Sequence, residues 1–212
     1  MKQIAQLLGI YIETDFYIPI VLRDLDNKDY TISTRLLSNV TNTLAYMLQN
    51  ETEATMESHL EYLIDLVCRL ENTYSDNAAM LTATFRLIFS LVHAAKGLMN
   101  KVISKIFSAL LTIQSSEITT STIKKRCAVT IQYLAENTGY KSVSELYSQE
   151  VELILQGYTQ TKSYEKWNKY SKERFKFGLI VTETKGELRH LIEHVLEIME
   201  QCIKNDKDYE VR

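Results

Sequence analysis

One short run has the residue types and spacing of a metal site. His190-Leu191-Ile192-Glu193-His194 reads H-x-x-E-H. On a helix its two histidines share a face one turn apart, so they could hold one zinc ion while Glu193 polarised a water. A third, acidic ligand is needed well downstream, and only 18 residues follow His194. Leu191, Ile192 and Val195 also make this a packing helix, which places the histidines on its solvated edge. No resident metal is expected, and a zinc hydrolase through His190, Glu193 and His194 stands as an alternative.

A second group lies between Tyr158 and Tyr170, where Tyr158, Tyr164, Trp167 (the one tryptophan) and Tyr170 alternate with Lys162, Lys166 and Lys169. From Tyr158 to Lys176 there are six basic residues and two acidic ones, a local charge of +4. Such a segment could stack single-stranded bases above a basic groove. It could also dock an acidic protein segment on aromatic and arginine anchors, or tuck Trp167 and Tyr170 back against the fold with its lysines solvated. Tyr164, Trp167, Tyr170 and Arg174 are the candidate partner-binding residues. The chain carries 24 basic and 27 acidic side chains, a formal net charge of -3, so no global field favours a phosphate backbone. A protein partner is expected, not nucleic acid. There is no glycine-rich phosphate loop, no G-x-S-x-G elbow and no pair of catalytic carboxylates, so neither an enzyme nor a cofactor is expected.

The elements that must position these residues are helices. In 212 residues there are one proline and six glycines with 45% hydrophobic residues, too few turn formers for an all-β protein and enough apolar material for a large core. Cys68, Cys127 and Cys202 are odd in number and far apart, which fits core filling in a reducing compartment. No apolar run is read as approaching the length of a membrane span, no leader is evident, and a cytoplasmic location is expected.

Apolar spacing of three and four places helices at about 3–11, 15–26, 30–49, 54–71, 76–95, 98–114, 119–137, 142–157, 171–183 and 187–204. They fall into pairs beginning at Asp15, Ala54, Leu98, Ser142 and Glu187, at intervals of 39, 44, 44 and 45 residues. Met56, Leu60, Leu63, Ile64, Val67 and Leu70 form one apolar stripe, and Leu81, Phe85, Ile88, Phe89 and Val92 the next. Leu98 to Leu111 repeats the arrangement, followed by Val129, Ile131, Leu134 and Ala135. Ser142-Val143-Ser144-Glu145 reads as a capping box, and Gly139 as a left-handed helix end. Lys124-Lys125-Arg126 and the acids Glu51, Glu53, Glu57, Glu61 and Asp65 read as solvated faces.

Intervals near 44 resemble the 40–47 residue units of HEAT and armadillo proteins. The expected fold is all-α: an α-solenoid of stacked antiparallel helix pairs, about four full repeats with partial terminal ones. Ile18 to Tyr30 resembles the end of a HEAT first helix with its proline and acidic turn, and Asp208-Tyr209-Glu210-Val211-Arg212 the D-x-x-V-R turn before a second helix. Residues 1–212 are therefore expected to form a single segment of a longer solenoid.

Trp167, Ser171, Arg174 and Phe177 stand in a W-x-x-x-S-x-x-R-x-x-F pattern that resembles the HEAT-repeat dynein axonemal assembly factors, as do the K-D-x-E-x-R run at 207–212, Gly139 to Tyr147, and Leu8 to Leu25. That resemblance implies a non-catalytic cytoplasmic scaffold for preassembly of axonemal dynein arms. Its implied partners are axonemal dynein chains, co-chaperones or other assembly factors. A HEAT adaptor for large kinases or nuclear transport is the alternative.

Overall fold

The computed structural model describes residues 2–26, 33–184 and 187–210, and contains no strand among them. The helices are α1 (Lys2–Tyr11), α2 (Thr14–Asp26), α3 (Thr34–Met47), α4 (Glu53–Met56), α5 (Leu60–Thr73), α6 (Ala78–Ala95), α7 (Ile103–Ser115), α8 (Ser121–Asn137), α9 (Val143–Thr161), α10 (Lys172–Glu183) and α11 (Ile192–Glu210). Short 3₁₀ turns lead into or out of several of them. The starts are fixed by side chains: Ser33, Asn77, Thr120 and Ser142 each accept a hydrogen bond from the amide three residues on. Glu145 reaches back past the cap and accepts from the amide of Lys141, 2.6 Å away, and not from the Ser142 amide that the expected capping box would use. Gly139, just past α8, has φ +86°, a conformation that costs glycine nothing.

Two rows emerge from the packing. α1, α3, α6 and α8 lie side by side in one row, and α5, α7, α9 and α11 follow each other in the second. The stripe on α5 is fully buried, as are Leu81, Phe85, Ile88 and Val92 of α6. Burial of this continuous apolar layer is the main stabilising term.

Contacts between rows and neighbours repeat at one sequence separation. Asn50 reaches the Gln6 carbonyl, the imidazole of His59 meets Asp15, Arg86 donates to Asn42, the Gly97 amide donates to Glu53, and Lys101 donates to Glu57, each pair 44 residues apart. Lys2 lies 5.7 Å from the ring centroid of Tyr46, again 44 residues on. Equivalent positions of successive helix pairs therefore touch. The acidic stripe read as a solvated face is engaged as well: Glu53 and Glu57 accept from Gly97 and Lys101 at this separation, and Glu51 and Asp65 accept from Tyr17 and Lys105, 34 and 40 residues away.

Several expectations need correction. α9 runs one turn further, to Thr161, so Tyr158 is helical and the connection to α10 is shorter. α11 continues through Glu210 because neither glycine nor proline interrupts it, so Asp208 to Glu210 are helix and not a turn. Pro19 sits inside α2, beyond its first turn. Val129 is 63% exposed and Phe89 only partly buried. Ala78–Lys101 is long and apolar enough to cross a membrane by length and composition, contrary to the sequence reading; 67% of its most apolar window is buried, because α6 packs against α3, α5 and α8 at once. The acidic turn at Asn27 to Tyr30 and the final Val211-Arg212 lie outside the described residues.

Candidate functional site

The Trp167 connection is built from three helices. α9 ends on Lys162, a left-handed residue at φ 49°, ψ 32°, which turns the chain into a 3₁₀ turn at Ser163–Lys166. Tyr164 and Trp167 are then drawn inward. The indole meets Tyr158 edge-on at 4.8 Å, with Tyr164 and Phe177 at 6.4 and 6.2 Å. Only 5% of Trp167 and 3% of Tyr164 is exposed. Burial is forced here because four aromatic rings and the apolar side of α10 have no other surface to cover.

α11 locks this arrangement. The Asn205 amide donates to the carbonyls of Tyr164, Glu165 and Trp167 at 3.2, 3.3 and 2.8 Å. Arg174 forms a bidentate pair with Asp206, both bonds 2.6 Å, which holds the Asp206 carboxyl below the usual carboxylate range. The Tyr164 hydroxyl donates to Glu197, and that bond pushes its pKa up to about 12. Of the four candidate contacts, then, Tyr164 and Trp167 are interior and Arg174 is engaged within the fold. Tyr170 is 66% exposed, with Lys169 5.2 Å from its ring centroid. The local positive charge is also partly neutralised, since Lys172 pairs with Asp76 and Arg174 with Asp206.

α10 does not follow α8 along the first row. Its main neighbour is α7. A cleft of about 700 Å³ lies between α10 and the α5, α7 and α9 helices, lined by Glu71, Ser108, Thr112, Glu150 and Lys176 among others. The Lys176 ammonium donates to Ser108 and Thr112 at 2.8 and 3.1 Å, and burial lowers its pKa although Glu71 and Glu173 act the other way. Burial likewise raises Glu71. Glu150 accepts from the Tyr140 hydroxyl at 2.9 Å, while its other oxygen is buried without a hydrogen-bond partner. These groups form a polar seam that fastens α10.

His190 and Glu193 are exposed, in a 3₁₀ turn and the first turn of α11 respectively. Among the described residues no three of His, Cys, Asp and Glu are grouped closely enough to hold a metal ion. Sequence reasoning missed a different cluster. Phe85, Phe89 and His93 on α6 line up with Tyr133 and Arg126 on α8, with ring separations of 6.3, 4.1 and 4.2 Å along the series. The visible signal was the spacing of 85, 89 and 93, which reads equally well as core.

No solved structure matches the chain. Dynein axonemal assembly factor 5 of Xenopus laevis is 22% identical over 212 residues, a match that covers 98% of this chain and 24% of that protein. The chain thus spans about a quarter of the length of the curated relative it matches. The family model for the HEAT-repeat domain of dynein axonemal assembly factor 5 matches residues 1–117, the part in which the 44-residue contacts concentrate; it takes in Leu8 to Leu25 and stops short of the Trp167 pattern. The chain belongs to the family of the dynein axonemal assembly factor 5 HEAT-repeat domain.

Proposed function

We propose that the protein is a non-catalytic HEAT scaffold for preassembly of axonemal dynein arms. In this reading residues 1–212 form an α-solenoid of about four full repeats with partial ones at both ends, a single segment of a longer solenoid. It acts in the cytoplasm, with axonemal dynein chains, co-chaperones or other assembly factors as partners. The observation that carries the reading is the family match over residues 1–117. The contacts at a separation of 44, all between residues 2 and 101, support the solenoid, because a stacked array brings equivalent positions of successive units together. Continuation is supported by the terminal helices. α1 exposes Ile4, Leu7, Leu8 and Tyr11, and α11 exposes Ile192, Leu196, Met199 and Ile203. A capping repeat would carry polar residues there. Among the candidate contacts Tyr170 is the one a partner reaches without rearrangement of the connection.

Affinity purification of the tagged full-length protein from cells building motile cilia tests the assignment. Recovery of axonemal dynein chains with cytosolic chaperones is expected. Recovery of kinases or nuclear cargo in their place would move the scaffold to another client, and recovery of nothing would refute the dynein reading.

A further inference from the structure

Charge is segregated between the two rows. α1, α3, α6 and α8 carry Lys2, Arg35, Arg86, Lys124, Lys125 and Arg126 with one acid, Glu136. α5 and α9 in the opposite row carry Glu61, Asp65, Glu71, Glu145, Glu150 and Glu152 with one base, Arg69. A chain of net charge -3 therefore has one basic side. Global charge hides it because the two rows nearly cancel.

The middle of this side is organised. Most of α6 is buried, and Thr82, Arg86, Phe89 and His93 form its one partly open stripe. Arg86 spans to α3, donating to Asn42 at 2.8 Å. Arg126 spans from α8, its guanidinium 5.3 and 4.9 Å from the ring centroids of Phe85 and Phe89. His93 stacks on Tyr133 at 4.2 Å with the rings 6° from parallel, and donates through Nδ1 to the Phe89 carbonyl at 2.8 Å. Among the described residues neither Arg86 nor Arg126 has a carboxylate partner. Stacking engages the face of a guanidinium and leaves its edge of N–H donors free to take a carboxylate in bidentate fashion. Val129, one turn along from Arg126 and 63% exposed, adds an apolar contact beside it.

We propose that the α3–α6–α8 face, centred on Arg86 and Arg126, docks an acidic protein segment with apolar or aromatic residues between its carboxylates. Two arginines held in place by neighbouring side chains lose little rotamer freedom on binding, and the aromatic floor takes the apolar residues. The proposal names a partner chemistry for the scaffold and rests on that reading only in taking the partner to be protein. Its test uses pure protein and no dynein, so the two readings fail separately.

The experiment is fluorescence anisotropy with the purified chain and three labelled probes: a peptide of four Glu-Phe-Asp-Leu units, the same peptide with lysine at every acidic position, and a uridine 16-mer RNA. The acidic peptide should bind, with affinity falling at least about tenfold in R86E/R126E and again when salt rises from about 0.05 to 0.5 M. The opposite-row control E61K/E152K should change it by less than about twofold. R126Q, which removes the charge and keeps a polar side chain, serves if far-UV circular dichroism shows the double variant misfolded, and should weaken binding in the same direction. Equal binding of the lysine peptide, or indifference to R86E/R126E and R126Q, would overturn the proposal. Tighter binding of the RNA with the same sensitivity to these variants would overturn it in favour of a phosphate-reading face.

Discussion

Gly9 is where α1 meets α3 most closely, and replacing it by alanine sets two effects of opposite sign against each other. A Cβ at Gly9 would lie 2.2 Å from the Met47 carbonyl oxygen, 2.7 Å from its Cα and 2.8 Å from its carbonyl carbon. These are backbone atoms of α3, which cannot rotate away. Restoring ordinary contact requires α1 to withdraw by about 1 Å, which also opens the packing of Ala5. Overpacking of this kind costs about 1–3 kcal/mol, whereas alanine gains about 1 kcal/mol over glycine within a helix. The balance is a loss of up to about 2 kcal/mol, confined to the docking of α1. Hydrogen exchange read by mass spectrometry should show amides of α1 exchanging about tenfold faster in Gly9→Ala, with those of α6 unchanged. Gly157→Ala is the control: nothing lies within 4 Å of a Cβ there, so it should stabilise by about 0.4–1 kcal/mol. Unchanged or slower exchange of α1 in Gly9→Ala would mean that the two helices are not in the contact described.

Phe85→Ala should cost about 3–5 kcal/mol in denaturant melts, because Phe85 is fully buried, and Phe89→Ala about 1–2 kcal/mol, because Phe89 lies at the edge of the core; the reverse order would refute the assignment of the α6 face. Trp167 should emit in the blue and resist acrylamide quenching, and a red-shifted, freely quenched tryptophan would place the connection outside the fold. Alkali should destabilise the protein. Burial raises the pKa of Tyr17, Tyr147 and Tyr158, burial pushes Tyr140 up to about 12, and the bond to Glu197 does the same for Tyr164. These groups stabilise fully below the unfolded tyrosine value near 10, and the contribution drains away as pH rises from there toward the folded values. Lys176, with its lowered pKa, acts in the opposite sense as one group against five. Urea melts between pH 8 and about 11.5, with tyrosinate absorbance followed in parallel, should show stability falling above about pH 10.

The helices were legible because their apolar residues recur with helical spacing. What periodicity does not encode is the neighbour. α10 has an apolar side that α8 could cover, yet α7 takes it, because Ser108 and Thr112 offer acceptors to Lys176 and Asp76 offers one to Lys172. Those partners are far away in sequence, so no local signal announces them. The aromatic and lysine-rich connection read as a possible surface patch, since composition alone cannot tell a tryptophan that caps a joint from one that meets a partner. Asn205 and Asp206, which hold the connection against the fold, sit on the next helix. The cluster around Arg126 escaped notice for a related reason: Lys124-Lys125-Arg126 looks like a solvated triplet until Phe85 and Phe89 are placed beneath its last member.

The fold-back of α10 changes how the chain should come apart. An array linked only at steps of 44 residues behaves as a one-dimensional chain of neighbours that frays inward from its ends, one unit at a time. Lys172 reaches Ser75 across 97 positions and Lys176 reaches Ser108 across 68, so α10 stitches together units that are otherwise coupled only through what lies between them. Loss of any unit inside that stitch strands the others, and the region from α5 to α10 should therefore open as a single cooperative block while α1 and α2 loosen independently.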